Sequence, residues 1–195
     1  RAEEYRTNGT SCTCEDLAVN TLIDFASENK LPVYFQNGTG MYDSSSDAYD
    51  NIGDFRNDVL VSTGATDLTN NTTSTSNNDL LSGDLILFTN DKGRINHTQV
   101  VTGTDSETIS IHQGNFVSNW EMFNNLKWSS DPQSSHYLGA KIQTGLYLKK
   151  TGDYYRDGKT KGLLNSDATQ GRTWNFNQFN WRESIWDSFY QSKKN

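Results

Sequence analysis

Leu17, Ala18, Thr21, Leu22, Phe25 and Ala26 recur at helical spacing, Asp24 and Glu28 fall off that stripe, and Pro32 closes it, so a helix is expected over residues 14–29. Ser11 or Thr13 can cap its start, and Glu15 and Asp16 in the first turn suit the positive end of the helix dipole. Cys14 continues the apolar stripe, which puts its thiol at the helix N-terminus on the inward face. A Gly- and Ser-rich loop over 38–46 precedes a short helix expected over 47–61, carrying Tyr49, Ile52, Phe55, Val59 and Leu60. Residues 63–78 are a Thr/Asn/Ser tract with almost no apolar content and read as a mobile surface loop. The period then changes to two: strands are expected over 84–88, 97–102 and 108–112, joined by turns at Lys92-Gly93 and over 103–106, with a last strand over 140–149. One helix followed by an antiparallel meander is an α+β fold.

A chain of 195 residues suits one domain. Residues 1–150 read as its core and 151–195 as an extension packed on it. Aromatic residues crowd the stretches that the meander leaves out: Phe116, Trp120, Phe123 and Trp128, then Trp174, Phe176, Phe179, Trp181, Trp186 and Phe189. They read as packing onto the sheet or as a carbohydrate-stacking platform, with residues 181–190 forming a short amphipathic helix. The chain is polar without being charge-rich, with 21 Asn, 21 Thr and 20 Ser, and its aromatic content argues against global disorder. A formal net charge of -7 argues against a nucleic-acid partner, which calls for a basic footprint. No apolar run approaches the ~20 residues of a membrane span. The start at Arg1 reads as a processed fragment or an excised domain, so the missing signal segment says nothing about export.

Two of the three histidines, His97 and His112, stand at the ends of the expected hairpin. Pairing Val100 with Ile109 and Thr98 with Ile111 gathers the apolar residues on one face and sets His97 opposite His112 on the other, with Cβ atoms about 5 Å apart. A one-residue slip would pair His97 with Gln113 instead. A thiol at a helix N-terminus is acidified by the dipole and further by a neighbouring imidazole. Cys14 as nucleophile, His97 as base and His112 as the group that orients the base would form a catalytic triad. Cys12 and Cys14 lie too close in sequence to staple a domain, although a strained disulfide across Cys12-Thr13-Cys14 stays open.

Cys14-Glu15-Asp16-Leu17-Ala18 at a helix start, Ser82-Gly83-Asp84-Leu85-Ile86-Leu87-Phe88, His97-Thr98-Gln99-Val100-Val101 and Ile109-Ser110-Ile111-His112 together resemble the NlpC and CHAP branches of the papain-like cell-wall cysteine peptidases, over residues 10–115. The resemblance implies a papain-like fold, a helix packed on an antiparallel sheet or half-barrel, with Cys14 as nucleophile, His97 as general base and His112 as orienting residue. In the CHAP pattern the third strand ends in Glu-x-Asn; Gln113 takes the Glu position and Asn115 matches the Asn. Gln113 can still accept the imidazole N–H bond, without supplying charge. The family places small residues after the Cys, whereas Glu15 and Asp16 are acidic and would oppose thiolate formation if turned toward the sulfur. Cys12 is the alternative nucleophile, provided that Val19 and Phe25 carry the inner stripe.

The resemblance implies cleavage of a peptidoglycan amide through a thioester acyl-enzyme, as an endopeptidase or an N-acetylmuramoyl-L-alanine amidase, with no cofactor and no metal. It suits a toxin domain, secreted or delivered into a target cell's periplasm and countered by a cognate immunity protein; a phage lysin or self-lysin fits as well. Three other readings stay open: a papain-like deamidase, transglutaminase or acyltransferase acting on protein, a non-catalytic glycan- or protein-binding module, and a zinc site built from Cys12, Cys14, His97 and His112.

Overall fold

A computed structural model of the chain describes residues 1–115, 139–157, 164 and 168–176. The expected packing of Phe116, Trp120, Phe123, Trp128, Phe179, Trp181, Trp186 and Phe189, and the helix over 181–190, fall outside the described residues.

A short helix α1 (Ala2–Thr7) and a two-residue strand β1 (Ser11–Cys12) lead into the main helix α2 (Cys14–Glu28). Thr13 caps α2, its hydroxyl accepting from the Asp16 N–H at 3.4 Å, and Glu15 and Asp16 occupy the first turn. The buried face holds Cys14, Leu17, Ala18, Val19, Leu22, Ile23 and Ala26, while Phe25 is exposed. This face is wider than the expected stripe because α2 packs both on the main sheet and on α3 (Ile52–Ser62). Burying each Leu or Ile of this face stabilises the fold by roughly 1.5–3 kcal/mol.

Strands β2 (Tyr34–Gln36) and β3 (Met41–Asp43) form a small hairpin. Asn51 caps α3 through Gly53 and Asp54, so that helix starts five residues later than the apolar pattern suggests. The Thr/Asn/Ser tract is not a loop. Residues Ala65–Asn71 form a 3-10 helix whose Leu68 and Asn71 are buried, and β4 (Thr72–Thr75) is an edge strand of the main sheet. Leu68 anchors the tract in the core, and the Asn71 side chain bonds both the N–H and the carbonyl of Gln36.

The remaining strands are β5 (Leu85–Thr89), β6 (Ile95–Thr104), β7 (Thr108–Gln113), β8 (Ala140–Lys141), β9 (Gln143–Lys150), β10 (Asp153–Arg156) and β11 (Thr169–Trp174). Seven of the eleven strands among the described residues build one antiparallel sheet in the order β10-β9-β7-β6-β5-β11-β4, and β1 pairs with β8 beside it. The fold is therefore α+β. One face, with Leu85, Leu87 and Val100, packs under α2; the other carries Ile86, Val101, Ile109, Ile111, Tyr147 and Tyr154.

The β6–β7 register differs from the one expected. Val100 pairs with His112 and Val101 with Ile111, whereas past the next residue Gly103 pairs with Ser110 and Thr104 with Ile109. Thr102 is the extra residue of a β-bulge. Because side chains alternate with a period of two, this register puts His97 and His112 on opposite faces.

Candidate active site

Cys14 opens α2 at the point where the helix start wedges into the sheet. A Cβ on Gly114 would collide with the Thr13 carbonyl, and one on Gly139 would collide with the Cys12 backbone, so both positions require a bare backbone. This close approach fixes the loop bearing the two thiols against the end of β7 and the start of β8. The Cys14 sulfur accepts from the backbone N–H of Thr98, the residue after His97. Cys12 sits on β1 opposite Ala140, and both cysteines are free thiols.

His97 stands opposite Phe88, with ring centroids 5.6 Å apart, and its Nε2 lies 3.1 Å from Gln113 Oε1. An amide oxygen only accepts, so Nε2 carries the proton and Nδ1 keeps its lone pair. Gln113 is itself held: Gln99 Nε2 donates to the same Oε1 at 2.7 Å, and the Tyr147 hydroxyl donates to Gln99 Oε1 at 2.9 Å. The Gln113 and Asn115 amides both donate to Gln143 Oε1, each at 3.3 Å. The bonds of this ladder agree with one another and with a proton on His97 Nε2.

His112 does not join this cluster. Its Nε2 meets Glu3 on α1 at 2.6 Å and its Nδ1 meets Thr102 Oγ1 at 3.2 Å, on the opposite face of the sheet. The expected facing pair of histidines is thus replaced by His97 and Gln113. The four-residue zinc set does not assemble either, and no group of three or more His, Cys, Asp or Glu side chains converges on a metal position among the described residues.

The electrostatics also depart from the expected thiolate–imidazolium pair. Burial and the charge of Glu15 push the Cys14 thiol well above its ordinary range, and its S–H donates to Glu15 Oε2 at 3.1 Å. Burial, with Asp16 and Glu15, raises Cys12 to about 12. His97 is held below its ordinary value, first by burial and then by the charge of Arg156, against the opposing bond to Gln113. At rest, therefore, burial favours the protonated thiol of Cys14 and the neutral imidazole of His97. Gln99, Tyr147 and Gln143 escaped the sequence reading; each stands on the face of Gln113, a relation that only the correct register discloses.

Residues 22–138 match the family model described as "Putative amidase domain". The chain belongs to this amidase-domain family. No curated protein and no solved structure matches it. The matched span of the amidase domain contains His97, Gln113 and Asn115 and begins within α2, after Cys14.

Proposed function

We propose that this amidase-domain protein is a papain-like cysteine hydrolase that cleaves an amide of bacterial peptidoglycan, with Cys14 as nucleophile, His97 as general base and Gln113 as the group orienting the base. The observation that carries the reading is the His97–Gln113 bond at 3.1 Å, with the Cys14 sulfur on the N–H of the residue next to His97. Family membership supports amide hydrolysis as the reaction class.

The steps follow from the protonation states. His97 Nδ1 takes the Cys14 proton as the sulfur attacks the amide carbonyl, forming the C–S bond and moving the carbonyl electron pair onto oxygen. The N–H groups of the first turn of α2 stabilise that oxyanion. As the tetrahedral intermediate collapses, the C–N bond breaks and His97 returns its proton to the leaving amine. Water then attacks the thioester and gives one proton to His97, the C–S bond breaks, that proton returns to sulfur, and the carboxylic acid released loses its remaining proton to solvent. Gln113 holds the imidazole through both half-reactions and stabilises the transient imidazolium by one hydrogen bond. Peptidoglycan lies outside the cytoplasmic membrane, so the reading includes export or delivery to that compartment.

The test is digestion of purified sacculi by the wild-type chain and by Cys14→Ala, with soluble fragments identified by mass spectrometry. Fragments released by the wild type alone establish the nucleophile and name the bond. Intact sacculi with both proteins would shift the reading to an amidohydrolase acting on protein.

A further inference from the structure

We propose that Arg156 is the specificity residue of this site and binds a carboxylate on the substrate; the inference rests on the cysteine-hydrolase reading. Arg156 lies on β10 opposite Tyr147 of β9, and its side chain folds back across the sheet over Gly145. Gly145 stands opposite Ile111 and two residues from Gln143, so the guanidinium lies on the face that carries Gln113 and His97. Any side chain at 145 would take the seat of the guanidinium. Strand spacing puts that seat roughly 5–10 Å from the His97–Gln113 pair.

Among the described residues the guanidinium is held mainly by one side chain: its carbon sits 5.4 Å from the centroid of the Tyr147 ring and it also hydrogen-bonds the Tyr147 side chain, which uses part of a five-donor group. Its ion pair among the described residues is a grazing one, 3.9 Å to Asp157, whose carboxylate is 54% exposed while the Arg156 side chain is 25% exposed. The positive charge reaches the active site, where it helps to hold His97 below its ordinary value. In a chain of net charge -7, a cation turned onto the catalytic face runs against the composition. A guanidinium fork pairs two N–H groups with the two oxygens of a carboxylate. The nearby Lys149 lies over Tyr154 instead, so the seat offers one positive charge and suits a singly charged carboxylate better than a phosphate dianion. The substrate class is then an acyl peptide with a free carboxylate close to the scissile amide.

Two probes of equal size and different charge test this on the enzyme itself: alkylation of Cys14 by iodoacetate, which carries a carboxylate, and by iodoacetamide, which does not. The ratio of the two rates should fall about 10-fold in Arg156→Gln, the magnitude of one charge-assisted bond. Gly145→Ala keeps the charge but displaces the fork, and should lower the ratio in the same direction; Arg156→Lys should fall between. Peptide fragments cleaved by the wild type, compared with the same fragments after their carboxylates are converted to carboxamides, should show the parallel loss of preference in kcat/KM. A merely structural Arg156 would slow both probes alike, so an unchanged ratio overturns the assignment and leaves the cysteine-hydrolase reading standing. A Cys14 inert to both reagents at every pH overturns the two together.

Discussion

His97 and His112 lie on neighbouring strands and live in different chemistries. His97 faces a ladder of neutral amides and a phenol, ends against Phe88, and touches no carboxylate among its described partners. His112 reaches across to the Glu3 carboxylate and a threonine hydroxyl. The first imidazole is kept neutral with its proton on a chosen nitrogen, which is what a base needs; the second ties α1 to the sheet. One residue decides which is which. Without the bulge at Thr102, the pairing of Gly103 with Ser110 would run on unchanged, and its parity would put His112 on the face of His97 and turn Gln113 away.

The widest split between the two sites is expected from their alanine variants. His97→Ala and Cys14→Ala should each lower kcat/KM on released peptidoglycan fragments by about 10³-fold or more, as removal of a base or nucleophile does. His112→Ala should leave kcat/KM within about threefold and instead lower the thermal midpoint, because it removes the buried imidazole that bonds the partly buried Thr102 hydroxyl and the Glu3 carboxylate, at a cost of about 1 kcal/mol. Equal kinetic losses at the two histidines would collapse the distinction.

A smaller effect is expected at the orienting amide. Gln113→Leu removes the acceptor for His97 Nε2 and should cost roughly 10–100-fold in kcat, with the thermal midpoint serving as the check on folding. Gln113→Glu restores an acceptor and adds a charge that favours the imidazolium, so the acid limb of the pH profile should move up. In the wild type that limb belongs to a His97 held below 6.5, and kcat/KM should stay flat from there until Cys14 ionises above its ordinary 9. A wild-type acid limb above 6.5 would contradict the neutral pair.

Much of this site could be read from the chain, and the unread part has a physical cause. Helix α2 follows from a local apolar stripe, a Thr cap and an acidic first turn, all within fifteen residues, and it ends one residue from the expected boundary. Strands β5, β6 and β7 were legible for the same reason. The partner of His97 was not, since it depends on a bulge that leaves no mark in the apolar pattern; Gln113 entered only as an alternative third residue. β11 is inserted between β5 and β4 from some eighty residues further along the chain, and such pairing is invisible to local periodicity. The edge strand β4 reads as a polar loop because its Thr and Ser residues need only backbone bonds and half-exposed faces. The acidity expected of Cys14 failed for another reason: dipole and imidazole are outweighed by burial and by Glu15, whose direction of pointing no sequence discloses.

Glu15 sharpens the contrast in carboxylates. Glu15→Gln removes the charge beside the sulfur but not the burial, so the midpoint of the alkylation rate against pH should move down by about one unit and still lie above the ordinary thiol range. No movement would mean that burial alone holds the proton.

The smallest effect belongs to the other carboxylate, Glu3. Its pKa is lowered from 4.5 to about 2, first by the hydrogen bond from Arg6 and then by that from His112. A carboxylate with a depressed folded-state pKa contributes stability that is fully present above the unfolded value and is lost as the pH falls through the folded one. The contribution of Glu3 should therefore be intact at pH 5, decline below 4.5 and vanish near 2. Being solvent-exposed, the group is screened by salt and its effect is small. The check is the thermal midpoint between pH 5 and 2 for the wild type and for Glu3→Gln: the two curves should converge as the pH falls, and raised salt should narrow the gap at pH 5. Curves that stay parallel would show that α1 is held by its packing alone, and that His112 contributes a contact with no electrostatic part in it.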